Sequence, residues 1–107
     1  MLDRNDLLVR RLLEEDVDIP DVGTVRVRGL SRGEVFDLRG DDISLAELEI
    51  RTLAACLIEP VISVDDAREW YYGAPQNETG LVLERIRKLS ALDEGAQKSN
   101  GTTAHVG

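Results

Sequence analysis

The sequence predicts an α+β domain, mainly α-helical and small, with one N-terminal β-hairpin at about residues 16–28 and four to five short helices. Three observations carry this expectation. Apolar and polar residues alternate strictly on both sides of a Pro-Asp-Val-Gly turn. Serine N-caps followed by acids recur at Ser31, Ser44 and Ser63. Helical apolar spacing follows each of them.

A first helix is expected from Asn5 to Glu15. Leu7, Leu8 and Leu12 fall at helical spacing, Arg4, Arg10 and Arg11 lie opposite, and Asn5 or Asp6 supplies a cap. The hairpin comes next. Val17 and Ile19 share a face, as do Val25 and Val27, which sets Asp16 and Asp18 on the same side as Arg26 and Arg28. Opposed acids and bases help fix a hairpin's register. A lone hairpin is not stable in water, so its Val/Ile face needs a cover.

Ser31-Arg32-Gly33-Glu34 reads as a capping box. Val35, Phe36 and Leu38 give that helix its apolar face, and Gly40 ends it. Ser44-Leu45-Ala46-Glu47 repeats the box. Leu45, Leu48, Leu53, Cys56 and Leu57 then predict a helix running to Pro60. Ser63 caps a helix that has Asp65 and Asp66 in its first turn, carries Ala67 and Trp70, and ends near Gly73. Pro75 suits the start of a last helix, with Val82, Ile86 and Leu89 on its apolar side. The expected domain covers residues 1–92. From Asp93 to Gly107 the composition turns small and polar, which predicts a flexible C-terminal tail over 93–107.

With 107 residues the chain fits one domain. Aromatics are only 4%, so the core must rest on aliphatic side chains. The net charge of −8 argues against nucleic-acid binding, which needs a basic stripe, and disfavours an anionic membrane surface. No apolar run is long enough to span a membrane, and the acidic N-terminus is unlike a signal peptide, so the expected compartment is cytoplasm.

The sequence carries no recognisable catalytic pattern. The single histidine, His105, falls in the polar tail, and the single cysteine, Cys56, on an apolar helix face. The paired acids at Glu14-Glu15, Asp41-Asp42 and Asp65-Asp66 lack calcium-loop spacing. No glycine-rich phosphate cradle is present. No catalytic residue, metal ligand or cofactor is therefore expected. The cluster Trp70-Tyr71-Tyr72 holds three of the four aromatics. Its plain reading is Trp70 in the core with a tyrosine at the rim; its functional reading is a partner anchor, since Trp and Tyr are enriched at interface hot spots. Arg26 and Arg28 divide the same way, between pairing with Asp16/Asp18 and contacting a partner.

Three passages resemble a known family. Asp6-Leu7-Leu8, Val17-Asp18-Ile19-Pro20 and the run Gly23 to Glu34 resemble the opening of tail assembly chaperones from long-tailed, siphovirus-type bacteriophages. Ala54 to Ser63 looks like that family's proline helix break. Ile86 to Ala96 resembles its closing helix before a polar tail. Ala91 stands where the family often has Gly. The match spans about residues 5–98, and the order and spacing of the passages carry it.

The resemblance implies a non-enzymatic chaperone that holds the long helical tape measure protein soluble until tube subunits polymerise around it. It implies many copies on the tape measure, hence a homo-oligomer acting in the host cell cytoplasm and absent from the finished virion. Many such phages add a longer frameshifted form that recruits tail tube protein, and a junction near Asp93 would suit this. The alternative reading is a small structural or completion protein of the tail or head–tail junction. A winged-helix DNA binder is disfavoured by the acidic balance, and an enzyme by the missing catalytic patterns.

Overall fold

The computed structural model describes residues 1–40 and 42–91. The chain runs α1 (Arg4–Leu8), β1 (Glu14–Ile19), β2 (Gly23–Arg28), α2 (Arg32–Arg39), α3 (Leu45–Cys56), β3 (Leu57–Glu59), α4 (Val64–Gly73) and α5 (Gln76–Leu89). The strands form an antiparallel sheet of order β1-β2-β3. The small α+β domain is therefore as expected. The tail expected from Asp93, with His105, lies outside the described residues.

The hairpin register pairs Val17 with Val25, Asp16 with Arg26 and Glu14 with Arg28. Asp21 turns the corner at φ 66°, where the Val22 amide donates to the Ile19 carbonyl. Val17, Ile19 and Val27 are buried. They meet Ile50, Leu53 and Cys56 of α3, Leu57 of β3, and Val82, Leu83 and Ile86 of α5. Helix α4 packs beside α3 through buried Ala67. The capping boxes at Ser31 and Ser63 are complete. Gly40 closes α2 at φ 59°.

Three expectations need correction. The first helix is Arg4–Leu8, not Asn5–Glu15, and its cap is Asp3. Glu14 and Glu15 pair instead with Arg28 and Val27 and lengthen the hairpin, because the alternation of Val17 and Ile19 extends backwards through them. The third predicted helix stops at Cys56 rather than at Pro60. Leu57 joins the sheet opposite Val27, and Glu59 opposite Arg26. The residue before a proline disfavours helix, and an open β2 edge offers the backbone partners it needs. At Ser44 only half the box forms. The Ser44 hydroxyl accepts the Glu47 amide at 3.0 Å, while the Glu47 carboxylate turns to Arg51 and Arg68.

The N-terminal hairpin and the last helix lock together at one crossing. The Leu30 amide donates to Ser90 Oγ at 2.7 Å, and that hydroxyl donates to the Ile86 carbonyl at 2.7 Å. A Cβ on Gly29 would lie 2.6 Å from the Leu89 carbonyl oxygen, so only glycine lets the backbones approach. Ala91 then takes a left-handed φ of 57°, a conformation that favours glycine at a helix end. Two substitutions here should act with opposite signs. Gly29→Ala is expected to destabilise by about 2 kcal/mol through overpacking. Ala91→Gly is expected to stabilise by ~0.5–1 kcal/mol by relieving the left-handed strain. Urea denaturation of both variants checks this.

Candidate functional site

Helix α4 presents the aromatic triplet, and the structure divides it. Trp70 is half-buried, and its indole N–H donates to Glu78 Oε1 at 3.2 Å. The Tyr71 hydroxyl donates to Glu49 Oε1 at 2.6 Å. That bond to a carboxylate, aided by burial, pushes the Tyr71 phenol up to about 12. Tyr72 is 71% exposed and stands edge-on to Tyr71, with ring centroids 5.3 Å apart. Successive helical residues point about 100° apart, so one of the three had to face water. Val64, Arg68 and Tyr72 follow at four-residue spacing and share the outer face of α4.

The two arginines are held within the fold. Arg26 donates to Glu14 at 3.1 Å and to Asp16 at 2.8 Å across the hairpin. Arg28 does not pair with Asp16 or Asp18. It makes a two-pronged pair with Glu34 of α2, at 2.9 and 2.8 Å, and caps the Gly29 carbonyl at 3.0 Å. The Arg28 guanidinium holds the Glu34 carboxyl down at about 2. Among the described residues, no hydrogen bond or ion pair joins the arginines to the aromatic triplet.

A second surface was not foreseen. Helices α2 and α3 stand apart over α5 and leave an apolar groove of about 270 Å³. Leu30, Val35, Leu38, Leu45, Leu48 and Leu83 line it, with Arg39, Glu49 and Arg87 at its polar positions. The spacing puts Val35, Phe36, Leu38 and Leu45 on apolar helix faces. In the structure α2 buries no residue, Phe36 is 58% exposed and Leu45 is 68% exposed.

The chemistry of the remaining groups is quiet. Cys56 is fully buried, and burial pushes its thiol up to about 11, far from a reactive thiolate. Among the described residues no three His, Cys, Asp or Glu side chains gather as a metal cage would need. No helix among them is long and apolar enough to cross a membrane. Glu47 forms an ionic junction, accepting from Arg68 at 2.8 Å on both oxygens and from Arg51 at 3.1 Å. These donors lower its pKa, and the Arg68 pair ties α4 to α3.

Comparison of the chain with protein-family models, curated proteins and solved structures finds no match.

The Arg28–Glu34 pair sets an acid response. The Glu34 pKa is lowered from an ordinary 4.5 to about 2 in the folded chain. Its contribution to stability is therefore full above about pH 4.5 and is lost as pH falls towards 2. Glu34→Gln keeps a capping side chain but leaves the Arg28 charge unpaired. It is expected to cost about 1–2 kcal/mol at pH 7, a figure reduced for the partial exposure of the pair. It should also flatten that share of the stability curve between pH 4.5 and 2. Thermal melts of both proteins across this range test it.

Proposed function

We propose that this chain is a non-enzymatic phage tail assembly chaperone that binds the tape measure protein and keeps it soluble during tail morphogenesis. The observation that carries the reading is the ordered set of three passages resembling that family. Outside the Asp6-Leu7-Leu8 helix, which buries no residue, parts of the three passages meet in the fold. The Gly23–Glu34 passage builds β2 and enters α2, the Ala54–Ser63 passage supplies β3 beside β2, and Ser90 of the closing helix accepts the Leu30 amide. Residues far apart in sequence thus belong to one structural unit.

The outer face of α4 is the surface this reading assigns to the tape measure. Tyr72 offers an aromatic anchor, and Val64 and Arg68 extend it into an amphipathic strip suited to a partner helix. Tyr71 then supports Tyr72 edge-on, Trp70 anchors α4 through Glu78, and Arg26 and Arg28 act indirectly by holding the hairpin. A net charge of −8 on each bound copy would keep the loaded tape measure soluble. In this reading the chain is the short form, and a longer frameshifted form would recruit tail tube protein.

A pull-down of the tagged chain from phage-producing cells, read by mass spectrometry, tests the proposal. It is expected to recover a very long helical protein, with this chain missing from purified particles. Tyr72→Ala should reduce that capture about tenfold with an unchanged melting temperature, whereas Trp70→Ala should lower the melting temperature. Detection of the chain in finished particles, without a long helical partner, would favour a structural or completion protein of the tail.

A further inference from the structure

Helix α5 ends in a defined way. The Ser90 amide donates to the Ile86 carbonyl at 2.9 Å and the Ala91 amide to the Lys88 carbonyl at 3.1 Å, with Ala91 at φ 57°. A left-handed residue with this bond is the Schellman form of helix stop. It turns the chain back and favours contact between the next side chain and the residues one turn earlier. Here those residues are Ile86 and Arg87, and both line the apolar groove between α2 and α3. Leu30 lines it too, and its amide is tied to this helix end through Ser90 Oγ. The groove thus lies beside the point from which the chain continues. Residues 92–107 lie outside the described residues.

The sequence after Ala91 reads Leu92-Asp93-Glu94, one large apolar residue followed by two acids. The groove complements that order. Leu38 and Leu45 stand across it, and its charged lining is Arg39, Arg87 and Glu49, a net of +1. Glu49 accepts the Tyr71 hydroxyl at 2.6 Å and lies 3.8 Å from Arg87. Arg39 has no ion-pair partner among the described residues. Leu45 is the first residue of α3, so the positive end of that helix dipole lies at the groove as well. Three extended residues reach ~10 Å, enough to cross a recess of this size. We infer that Leu92 fills the α2–α3 groove of its own chain, with Asp93 and Glu94 turned to Arg39 and Arg87. Helix α2 gains most from this contact. It buries no residue of its own, and Leu92 would give it an apolar tie to α3 and α5.

This inference does not rest on the chaperone reading, and the purified full chain tests it. Nuclear Overhauser contacts are expected from the Leu92 methyls to those of Leu38 and Leu45. In a mixture of labelled and unlabelled chain, filtered spectra should show none between copies. Leu92→Asp should speed amide exchange across α2 about tenfold while α4 keeps its rates. A chain stopped after Ala91 should exchange like that variant, and one stopped after Ala96 like the full chain. Arg39→Glu should lower the melting temperature by about 2 °C, and adding Asp93→Lys and Glu94→Lys should restore it. An absence of Leu92 contacts to the groove, or α2 exchange that ignores Leu92, would overturn the inference. So would contacts found only between copies, as a second chain in the groove would give, or a charge swap that restores nothing.

Discussion

A methyl group on Gly29 would sit 2.6 Å from the Leu89 carbonyl oxygen, and the fold depends on its absence. At that point the hairpin hands over to α2 while α5 ends. Glycine lets the two backbones touch, and the Leu30 amide then finds Ser90 Oγ. The contact spans sixty residues of sequence, so it orders the chain's first and last structural thirds together. Everything nearby is tied to it. Leu13 is held by the Gly29 amide, Arg28 caps the Gly29 carbonyl, and Glu34 fixes Arg28 while completing the box at Ser31. A partly buried guanidinium with this many partners is well compensated for its desolvation, so the pair holds direction as well as charge.

Ion pairs and helix caps do the positioning that a larger core would do in a larger protein. Glu47 leaves its own capping role incomplete and instead bridges Arg51 and Arg68, which sets α4 against α3. Glu49 takes the Tyr71 hydroxyl and lies 3.8 Å from Arg87, so one carboxylate touches groups from α4 and α5. Arg85 of α5 reaches Glu15 of β1. Such half-exposed pairs add little energy each. Their value lies in fixing which faces of the helices remain outside, and hence where Tyr72 and the groove leucines stand.

Local rules made much of this readable. Serine followed three residues later by an acid located the starts of α2, α3 and α4, because a capping hydroxyl answers to the nearest backbone amides alone. Alternation located the hairpin, because period two depends only on pleat geometry. The misses came where distant residues decided. Leu57 continues a helical apolar pattern, yet Val27, thirty residues earlier, offers it a strand partner. Arg28 sits on the same face as Asp16 and Asp18, yet Glu34 is nearer once α2 has formed. For the aromatic triplet, spacing alone required one ring to leave the core. Which one remained open until Ala67 fixed the buried face of α4. The groove was hidden because Leu38 and Leu45 have the spacing of core residues, and periodicity cannot report whether a facing helix exists.

The distribution of apolar side chains separates what folds this chain from what remains for association. The buried set of Val17, Val27, Ile50, Leu53, Val82 and Ile86 forms one cluster, and none of the described buried side-chain polar atoms lacks a partner. That cluster needs neither α1 nor the outer faces of α2 and α4. Leaving leucines in water gains nothing for folding and invites aggregation, unless they serve a contact. Leu7 and Leu8 of the arm and Leu45 of α3 stand exposed, and the groove beside Leu45 carries both signs of charge in Arg39, Arg87 and Glu49. On α4 the exposed group is an aromatic with a cation four residues before it. These are two chemistries on two faces. An aliphatic recess and an aromatic strip offer contacts of different kinds.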